Sequence, residues 1–436
     1  MKDLQRRISL TAGLAIAVPM VVGSGIFGLP GLAIESTDHI TAFYAWIVVV
    51  CVVAPFIQIF SQLGMRFPDS SGIAGFAAKG LGAWSRPGFT LVACGALAIG
   101  MPALFLVGGE YIATVFSVDP AHFRMWFAIL IAVVTTLLNV SGIKNATFVN
   151  KAVVGIIVLF VMVLVSVKMP SLMHESAQLT RDLVRQPPNL AGVSLAASII
   201  FWAFQGWENL SFGLAEFSNP SRTIPRVYWS SFIVVSVGYL TFAWIVSAAH
   251  YDGVTVSGLS GLSVFLGSGR VRFVLLMILI LILITNANSW VFGASRAFFS
   301  AAKSSLLPDF LSKVNRHEVP ANCLIVSCVF YCAALVGIES TQVVSVRTAF
   351  LLTTVSFIVL YGFSVVTYVV TNHISFLSVS CALLAAAGLA FLIPTFSWLL
   401  LYPVLLFGTG TIAAALVQGP QKQTAHSWPP QAGGND

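Results

Sequence analysis

The run Gly23-Ser24-Gly25-Ile26-Phe27-Gly28-Leu29-Pro30 interrupts the first apolar stretch of this chain, which extends from Ile8 to Ile34. Each glycine inside a helix costs roughly 1 kcal/mol relative to alanine, so the three glycines weaken any helix built here. Inside a bilayer the backbone N–H and C=O groups freed by a break find no water, and breaks persist where they line a cavity or contact a ligand. The run therefore predicts a binding site at bilayer depth.

The composition is that of an all-α integral membrane protein. The chain has 436 residues, of which 58% are hydrophobic and 8% charged, and its mean hydropathy is +0.93. A soluble domain carries about 25% charged residues. Because a spanning helix needs about 20 mostly apolar residues, the apolar segments predict twelve transmembrane helices: 9–34, 41–65, 87–117, 124–142, 148–169, 191–216, 226–250, 271–301, 320–338, 346–370, 374–394 and 396–417.

Basic residues orient these segments. With the N-terminus placed inside, most of the 22 lysines and arginines fall on the inner side, which predicts cytoplasmic termini. The first segment is too long for a signal peptide, so we expect an uncleaved helix. The net charge of +7 does not indicate nucleic-acid binding, because no basic run exceeds Arg6-Arg7. The polar tail 418–436 is expected to be disordered and cytoplasmic.

A second break lies five segments after the first. Phe201-Trp202-Ala203-Phe204-Gln205-Gly206-Trp207-Glu208-Asn209 places polar residues in the middle of the sixth segment. Interrupted helices at corresponding positions of two halves indicate a transporter built from inverted repeats. We therefore predict a first five-helix repeat over 9–169, a second, inverted one over 191–370, and two extra helices over 374–417.

The two breaks together present the groups that an α-amino acid requires. Free N–H groups at the start of the second half-helix form the positive end of a helix dipole and suit a carboxylate. Free carbonyl groups near Val21, Val22, Trp202 and Gln205 suit an ammonium group. The alternative is a glycine-rich face that packs helices together. The predicted substrate-binding residues are Val21, Val22, Gly23, Ser24, Gly25, Ile26, Phe201, Trp202, Phe204 and Gln205.

Four further residues are candidates for gating or coupling: Trp202, Glu208, Asn209 and Ser289. Glu208 is an ionisable group at bilayer depth, where such residues mark transport paths or proton relays. Its alternative role is to form hydrogen bonds to the unwound backbone. Trp202 could close over a bound substrate, and Ser289 with Asn286 could line the path or hold an ion. The absence of an adjacent Ser/Thr pair disfavours a sodium site.

The histidines, cysteines and other potentially catalytic residues give no indication of an enzyme. All seven histidines are expected in loops or the tail, no His/Asp, Ser/His or metal-ligand constellation is buried, and no phosphate-binding loop is present. We expect no cofactor and no metal, and the six cysteines are expected to be free thiols. Recognition of an amine by Glu208 would instead make the chain a polyamine or organic-cation carrier.

Five motifs in order are similar to those of the amino acid–polyamine–organocation (APC) transporter superfamily. They are Gly23-Ser24-Gly25-Ile26-Phe27, the Phe201–Glu208 run, the loop Glu216–Arg226, the loop Arg66–Gly72, and Ser295-Arg296 with Leu307-Pro308 and Val319-Pro320. Among its branches, the chain most resembles bacterial exporters of methionine and branched-chain amino acids.

The resemblance implies a LeuT-like 5+5 inverted repeat with helices 1 and 6 broken, and secondary active transport of an apolar or aromatic amino acid by alternating access. It further implies that amides of the first break hold the carboxylate and that Trp202 gates. Protons and the lipid bilayer are the other expected partners, a homodimer is left open, and the location is the bacterial inner membrane. Some members carry a coupling lysine in helix five, where this chain has Ile157, with Lys151 closer to the cytoplasm.

Overall fold

A computed structural model describes residues 4–23, 25–253, 269–341, 344–372 and 375–418. Over these ranges the regular structure is helical, apart from one isolated bridge between Ile8 and Phe217. The α-helices are α1 (Leu10–Val21), α2 (Gly25–Ser36), α3 (His39–Arg66), α4 (Gly72–Leu81), α5 (Arg86–Val115), α6 (Pro120–Val140), α7 (Ile143–Arg185), α8 (Leu190–Ile200), α9 (Trp207–Ser211), α10 (Pro220–Ala248), α11 (Gly269–Lys303), α12 (Ala321–Thr341), α13 (Val346–Thr371), α14 (Phe376–Leu392) and α15 (Leu401–Gln418).

Within the described ranges, nine helical stretches are long and apolar enough to cross a bilayer. Three shorter apolar helical stretches accompany them, at Leu10–Val21, Ala146–Ile157 and Phe376–Leu392. The prediction of a multi-pass helical membrane protein is therefore confirmed. The count of twelve spans and the repeat boundaries 9–169, 191–370 and 374–417 stay predictions. Of the tail 418–436 that was expected to be disordered, Gln418 is the last residue of α15 and residues 419–436 lie outside the described part.

Both predicted breaks are present, but each is shorter than the sequence suggested. The first helix stops at Val21 and resumes at Gly25, so that Pro30 lies inside α2. In the second break, α8 ends at Ile200, a 3₁₀ turn covers Phe201–Phe204, and α9 begins at Trp207. Tertiary packing thus keeps helical several residues whose intrinsic propensity is poor.

Gly206 is the sharpest point of the second break. Its φ is +136°, a conformation that residues with a Cβ rarely adopt. The missing side chain also permits contact between the breaks, because a Cβ on Gly206 would lie 2.8 Å from the carbonyl oxygen of Met20. The backbone turn and the close approach therefore require glycine here.

Contacts around Ile8 connect the segment before α1 to the segment after α9. The N–H of Ile8 donates to the carbonyl of Glu216 at 2.8 Å, and the N–H of Ser218 donates back to Ile8 at 3.0 Å. The Glu216 carboxylate lies 2.7 Å from Nε of Arg296, and both side chains are buried. Removing one member of a buried ion pair leaves an uncompensated charge. The Glu216–Arg296 pair thus connects α11 to the segment after α9. That segment is hydrogen-bonded in turn to Ile8, before α1.

Two features of the helices were not predicted. The fifth segment, expected over 148–169, belongs to the much longer α7, and the end of α7 packs on its neighbours: Tyr44 donates to the carbonyl of Leu183 at 2.5 Å and Trp244 donates to Ser176 at 2.8 Å. The short helix α4 follows a loop motif and is largely buried. Both depend on tertiary contacts, which hydropathy does not record.

Candidate functional site

The two breaks line one cavity, enclosed by α1, α5, the second break, α11 and α13. Four of the predicted substrate-binding residues and Asn286 are among its walls. The lining residues are Met20, Val21, Gly23, Ala96, Leu97, Gly100, Met101, Leu104, Trp202, Ala203, Gln205, Asn286, Trp290 and Thr353. Sequence reasoning identified the wall made by the breaks and missed the apolar wall contributed by α5.

The cavity is small and uncharged. The space open to the centres of water molecules is about 30 Å³, and one water needs about 10–15 Å³ by this measure. A ligand larger than a few water molecules therefore requires the walls to move apart. Among the described residues that line the cavity, none is ionisable. A ligand that presents a net charge to these residues would find no counter-charge there.

Gln205 supplies an unsatisfied amide to this cavity. The side chain is only 3% exposed, and among the described residues neither Oε1 nor Nε2 has a hydrogen-bond partner. Buried polar groups are nearly always paired, so both atoms are available to a group that enters the cavity. The amide can donate to a carboxylate and accept from an ammonium group.

Side chains of α11 hold the carbonyl groups at the end of α1. Nδ2 of Asn286 donates to Pro19 at 2.7 Å and to Met20 at 3.0 Å, and Nε1 of Trp290 donates to Met20 at 2.8 Å. These donors replace the N–H groups that the break removed from the helix ladder. Gly23 is required beside them, because a Cβ at this position would overlap the Asn286 amide.

Tyr239 of α10 joins the two breaks. Its hydroxyl lies 2.9 Å from the carbonyl oxygen of Val21 and 3.0 Å from that of Ala203. With one proton, the hydroxyl donates to one carbonyl at a time. The sequence predicted free carbonyl groups near Val21 and Trp202, but both carbonyl groups have a donor. The Val21 carbonyl faces the Tyr239 hydroxyl, and the Trp202 carbonyl accepts from the N–H of Gln205 at 3.2 Å. A tyrosine in the middle of an apolar span was the signal that could have identified Tyr239.

Tyr239→Phe is expected to loosen both breaks. Loss of the hydroxyl removes the single donor that two buried carbonyl groups share, which costs about 1–3 kcal/mol of stability. We expect a lower melting temperature together with a several-fold loss of substrate affinity, measured by thermal unfolding and by binding. Tyr402→Phe is the matched control, because the Tyr402 hydroxyl donates to Gly95 at 3.1 Å away from the cavity. Equal losses of affinity in both variants would contradict the assignment.

Glu208 lies behind the cavity and does not line it. Its side chain is fully buried; Oε1 accepts from the N–H of Gly206 at 2.9 Å and Oε2 accepts from the Tyr361 hydroxyl at 2.5 Å. Asn209, next to it on α9, donates to the carbonyl of Trp290 at 3.1 Å. Both polar residues thus tie the second break to neighbouring helices, Glu208 to α13 and Asn209 to α11.

The aromatic residues of the second break take different positions. Trp202 lines the cavity, and its ring lies 4.1 Å from that of Phe350, between centroids. Phe204 and Phe201 are buried away from the cavity, at 5.1 Å from Tyr239 and 6.3 Å from Tyr361. Of the three, Trp202 is the one that lines the cavity.

The remaining candidates of the first break are partly described. The N–H of Val22 completes the last turn of α1 by donating to Val18 at 2.8 Å. Gly25 and Ile26 belong to the first turn of α2, where a helix N-terminus offers free N–H groups. Ser24 lies outside the described residues.

Ser289 belongs to a separate chain of neutral amides between α6, α7 and α11. Asn150 donates to Ser289 at 2.8 Å, Asn288 donates to Asn150 at 3.0 Å, and Asn139 donates to Asn288 at 2.9 Å. Nearby, Ile157 is buried, whereas Lys151 is exposed. Across the described ranges, no group of three or more His, Cys, Asp or Glu side chains is arranged to hold a metal ion.

A multi-pass helical membrane protein whose two interrupted helices line a central, neutral cavity falls in the class of membrane transporters. The sequence profile of the family described as "Amino acid permease" matches residues 8–423. The chain belongs to this family, a part of the APC superfamily, and the resemblance carried by the five motifs is confirmed. The family and the relatives below are transporters rather than enzymes.

Relatives with assigned functions are similar over about three quarters of the chain. The L-methionine/branched-chain amino acid exporter YjeH of Escherichia coli is 22% identical over 340 residues, which are 74% of this chain and 76% of the exporter. The branched-chain amino acid permease BcaP of Bacillus subtilis is 24% identical over 356 residues, covering 73% and 72%. The mouse Asc-type amino acid transporter 1 is 23% identical over 344 residues, covering 74% and 64%.

Proposed function

We propose that this chain is a secondary active transporter that moves an apolar or aromatic amino acid by alternating access. The observation that carries the proposal is the orphaned Gln205 amide in a neutral cavity bounded by both breaks. The backbone of the breaks and Gln205 would bind the amino acid's ammonium and carboxylate groups. The wall formed by Leu97, Met101 and Leu104 would receive an apolar side chain.

The same cavity disfavours a polyamine substrate. A polyamine carries several positive charges, and burying such a charge without a partner is costly. None of the described lining residues carries a carboxylate, and both oxygens of Glu208 accept hydrogen bonds behind the wall. The similar proteins from Escherichia coli and Bacillus subtilis are named as amino acid transporters, which also favours an amino acid over a polyamine.

We infer twelve spans in a LeuT-like 5+5 inverted repeat, with α1/α2 and α8/α9 as the broken helices and both termini in the cytoplasm of a bacterial cell. Trp202 would act as the gate over the substrate. Either protons or exchange against a second amino acid would drive transport. Reconstitution into liposomes with labelled amino acids, with and without a pH gradient, distinguishes these modes; putrescine uptake without leucine uptake would overturn the amino acid proposal.

Gln205→Met is expected to raise the KM for the substrate about 10- to 100-fold, the effect of losing one hydrogen bond to a charged group. Without substrate, the same variant should be at least as stable as the wild type, because it removes an unpaired buried amide. Uptake kinetics and thermal unfolding of the substrate-free protein measure the two effects.

Gln58→Met is the matched control for that experiment. Oε1 of Gln58 accepts from Nε1 of Trp229 at 3.1 Å, away from the cavity. This variant should lose stability and keep the wild-type KM. An unchanged KM in Gln205→Met would show that the Gln205 amide does not bind substrate.

A further inference from the structure

The amide of Asn286, on α11, lies against the backbone of the first break. The side chain is almost fully buried and lines the cavity together with Gly23. A Cβ added to Gly23 would overlap both Nδ2 and Oδ1 of Asn286. Both polar atoms of this amide therefore lie beside the stretch where α1 ends.

The nitrogen of this amide is already occupied. Nδ2 donates to the carbonyl groups of Pro19 and Met20, at 2.7 Å and 3.0 Å. Because two carbonyl oxygens surround it, this end of the amide is the nitrogen. An amide nitrogen has two hydrogens to donate, so the two bonds use its full capacity. The atom that Asn286 keeps for a ligand is Oδ1, which accepts hydrogen bonds and cannot donate.

Gln205 is the other amide in the cavity wall, and among the described residues its Oε1 has no partner. The indole N–H of Trp290 is a donor only, and its proton already goes to α1 at 2.8 Å. Thr353 donates its hydroxyl proton within α13 at 2.8 Å. Of the described side chains in the wall, Asn286 and Gln205 thus supply amide oxygens, one from α11 and one from the second break.

The charge distribution around Oδ1 of Asn286 favours a cationic group. Pro19 and Met20 belong to the last turn of α1, the negative end of the helix dipole. Oδ1 is itself the negative end of the amide dipole. An ammonium group carries positive charge and only donors, so it is attracted by both, whereas a carboxylate at Oδ1 would meet like partial charges and no donor. The α-ammonium group is therefore the part of an amino acid that fits this side of the cavity.

We propose that Oδ1 of Asn286 accepts a hydrogen bond from the α-ammonium group of the substrate, and that the two bonds from Nδ2 to α1 hold this oxygen in place. The inference rests on the proposed transport of an amino acid and adds an orientation to it, with the ammonium group towards α11 and the carboxylate away from it. A compound that has the ammonium group and lacks the carboxylate keeps the contact, and a compound that lacks the ammonium group loses it.

Ligand-induced shifts in the melting temperature of the purified full chain test this orientation. Leucine, methionine and phenylalanine are titrated first. The tightest binder then supplies the side chain of two analogues: the amino alcohol, which lacks the carboxylate, and the 2-hydroxy acid, which lacks the ammonium group. If none of the three amino acids stabilises the wild type, the proposed function is contradicted, and this result precedes every variant.

Asn286→Leu, which has nearly the same shape and no polar atom, should weaken binding of the amino acid and of the amino alcohol about 10- to 100-fold. This is the effect of losing one hydrogen bond to a charged group. The hydroxy acid should lose less than about 10-fold, because its contact with Oδ1 is neutral. Equal losses for all three compounds, or a larger loss for the hydroxy acid, would overturn the proposal.

Asn286→Asp separates the two ends of the amide and keeps the test decisive if Asn286→Leu folds poorly. It retains an acceptor oxygen and loses both donors to α1. Its melting temperature without ligand should therefore fall, while its preference for the amino acid over the hydroxy acid should be at least that of the wild type. Loss of this preference would show that selectivity comes from the position of α1 and would refute the role of Oδ1.

Asn288→Leu is the matched control on the same helix. Nδ2 of Asn288 donates to Oδ1 of Asn150 at 3.0 Å, in the chain of amides between α6, α7 and α11, and Asn288 is not among the described lining residues. This variant should lose stability and keep the wild-type ratios of the three affinities. A change in these ratios as large as in Asn286→Leu would overturn the proposal.

Discussion

Gly206→Ala is expected to reduce transport by about 100-fold, because small displacements of a binding constellation have effects of this size. The alanine Cβ would lie 2.8 Å from the carbonyl oxygen of Met20 and 2.9 Å from Cγ2 of Val21. To remove this overlap, the two breaks must move apart, and the contact of the Tyr239 hydroxyl with both of them is lost. The positive φ adds about 1–3 kcal/mol of backbone strain.

Gly238→Ala provides the matched control for that substitution. Gly238 lies within α10, and a Cβ there would have no heavy atom within 4 Å. Because alanine is the better helix former by roughly 1 kcal/mol, this variant should be as stable as the wild type or more stable, with unchanged uptake. Normal uptake by Gly206→Ala, measured at equal amounts of membrane-inserted protein, would show that the close approach of the breaks is not needed for transport.

Glu208→Ala is expected to destabilise the protein by about 2–6 kcal/mol, since two buried donors lose their acceptor at about 1–3 kcal/mol each. Those donors are the N–H of Gly206 and the hydroxyl of Tyr361. The loss should appear as a large drop in melting temperature and in the amount of folded protein in the membrane. Tyr361→Phe, which removes one donor and leaves the carboxylate, should have a smaller effect.

Glu208→Gln separates the two roles left open by the sequence. Its amide oxygen can still accept from Gly206, and its amide nitrogen can donate to the Tyr361 oxygen, so the second break should stay folded. If Glu208 only holds the break, as its two contacts favour, the pH profile of uptake should match the wild type. A pH dependence lost in this variant, and kept in Glu110→Gln, whose carboxylate is partly exposed and 4.0 Å from Arg124, would instead assign the coupling proton to Glu208.

Part of the candidate site could be predicted because its causes are local. Gly23, Gln205 and Gly206 stand out in apolar segments, where lipid makes glycine runs and polar side chains costly. Their positions alone therefore indicated the two breaks, which the structure shows. The contacts of Glu208 could not be predicted from neighbouring residues. The sequence pattern around a carboxylate at bilayer depth is the same whether the carboxylate faces a cavity or a tyrosine hydroxyl. Only the tertiary structure brings the hydroxyl of Tyr361, 153 residues further along the chain, to this carboxylate.

The sequence by itself determined the class of this protein: a helical, multi-pass membrane chain with two interrupted segments and the motifs of an amino acid permease. Hydropathy, helix propensity and motif order are properties of neighbouring residues, so a sequence displays them directly. Tertiary structure alone decided which groups meet. It placed Tyr239 between the breaks, Asn286 and Trp290 on the carbonyl groups of α1, and His39 against His250, because these contacts join residues that the chain separates by up to about 270 positions.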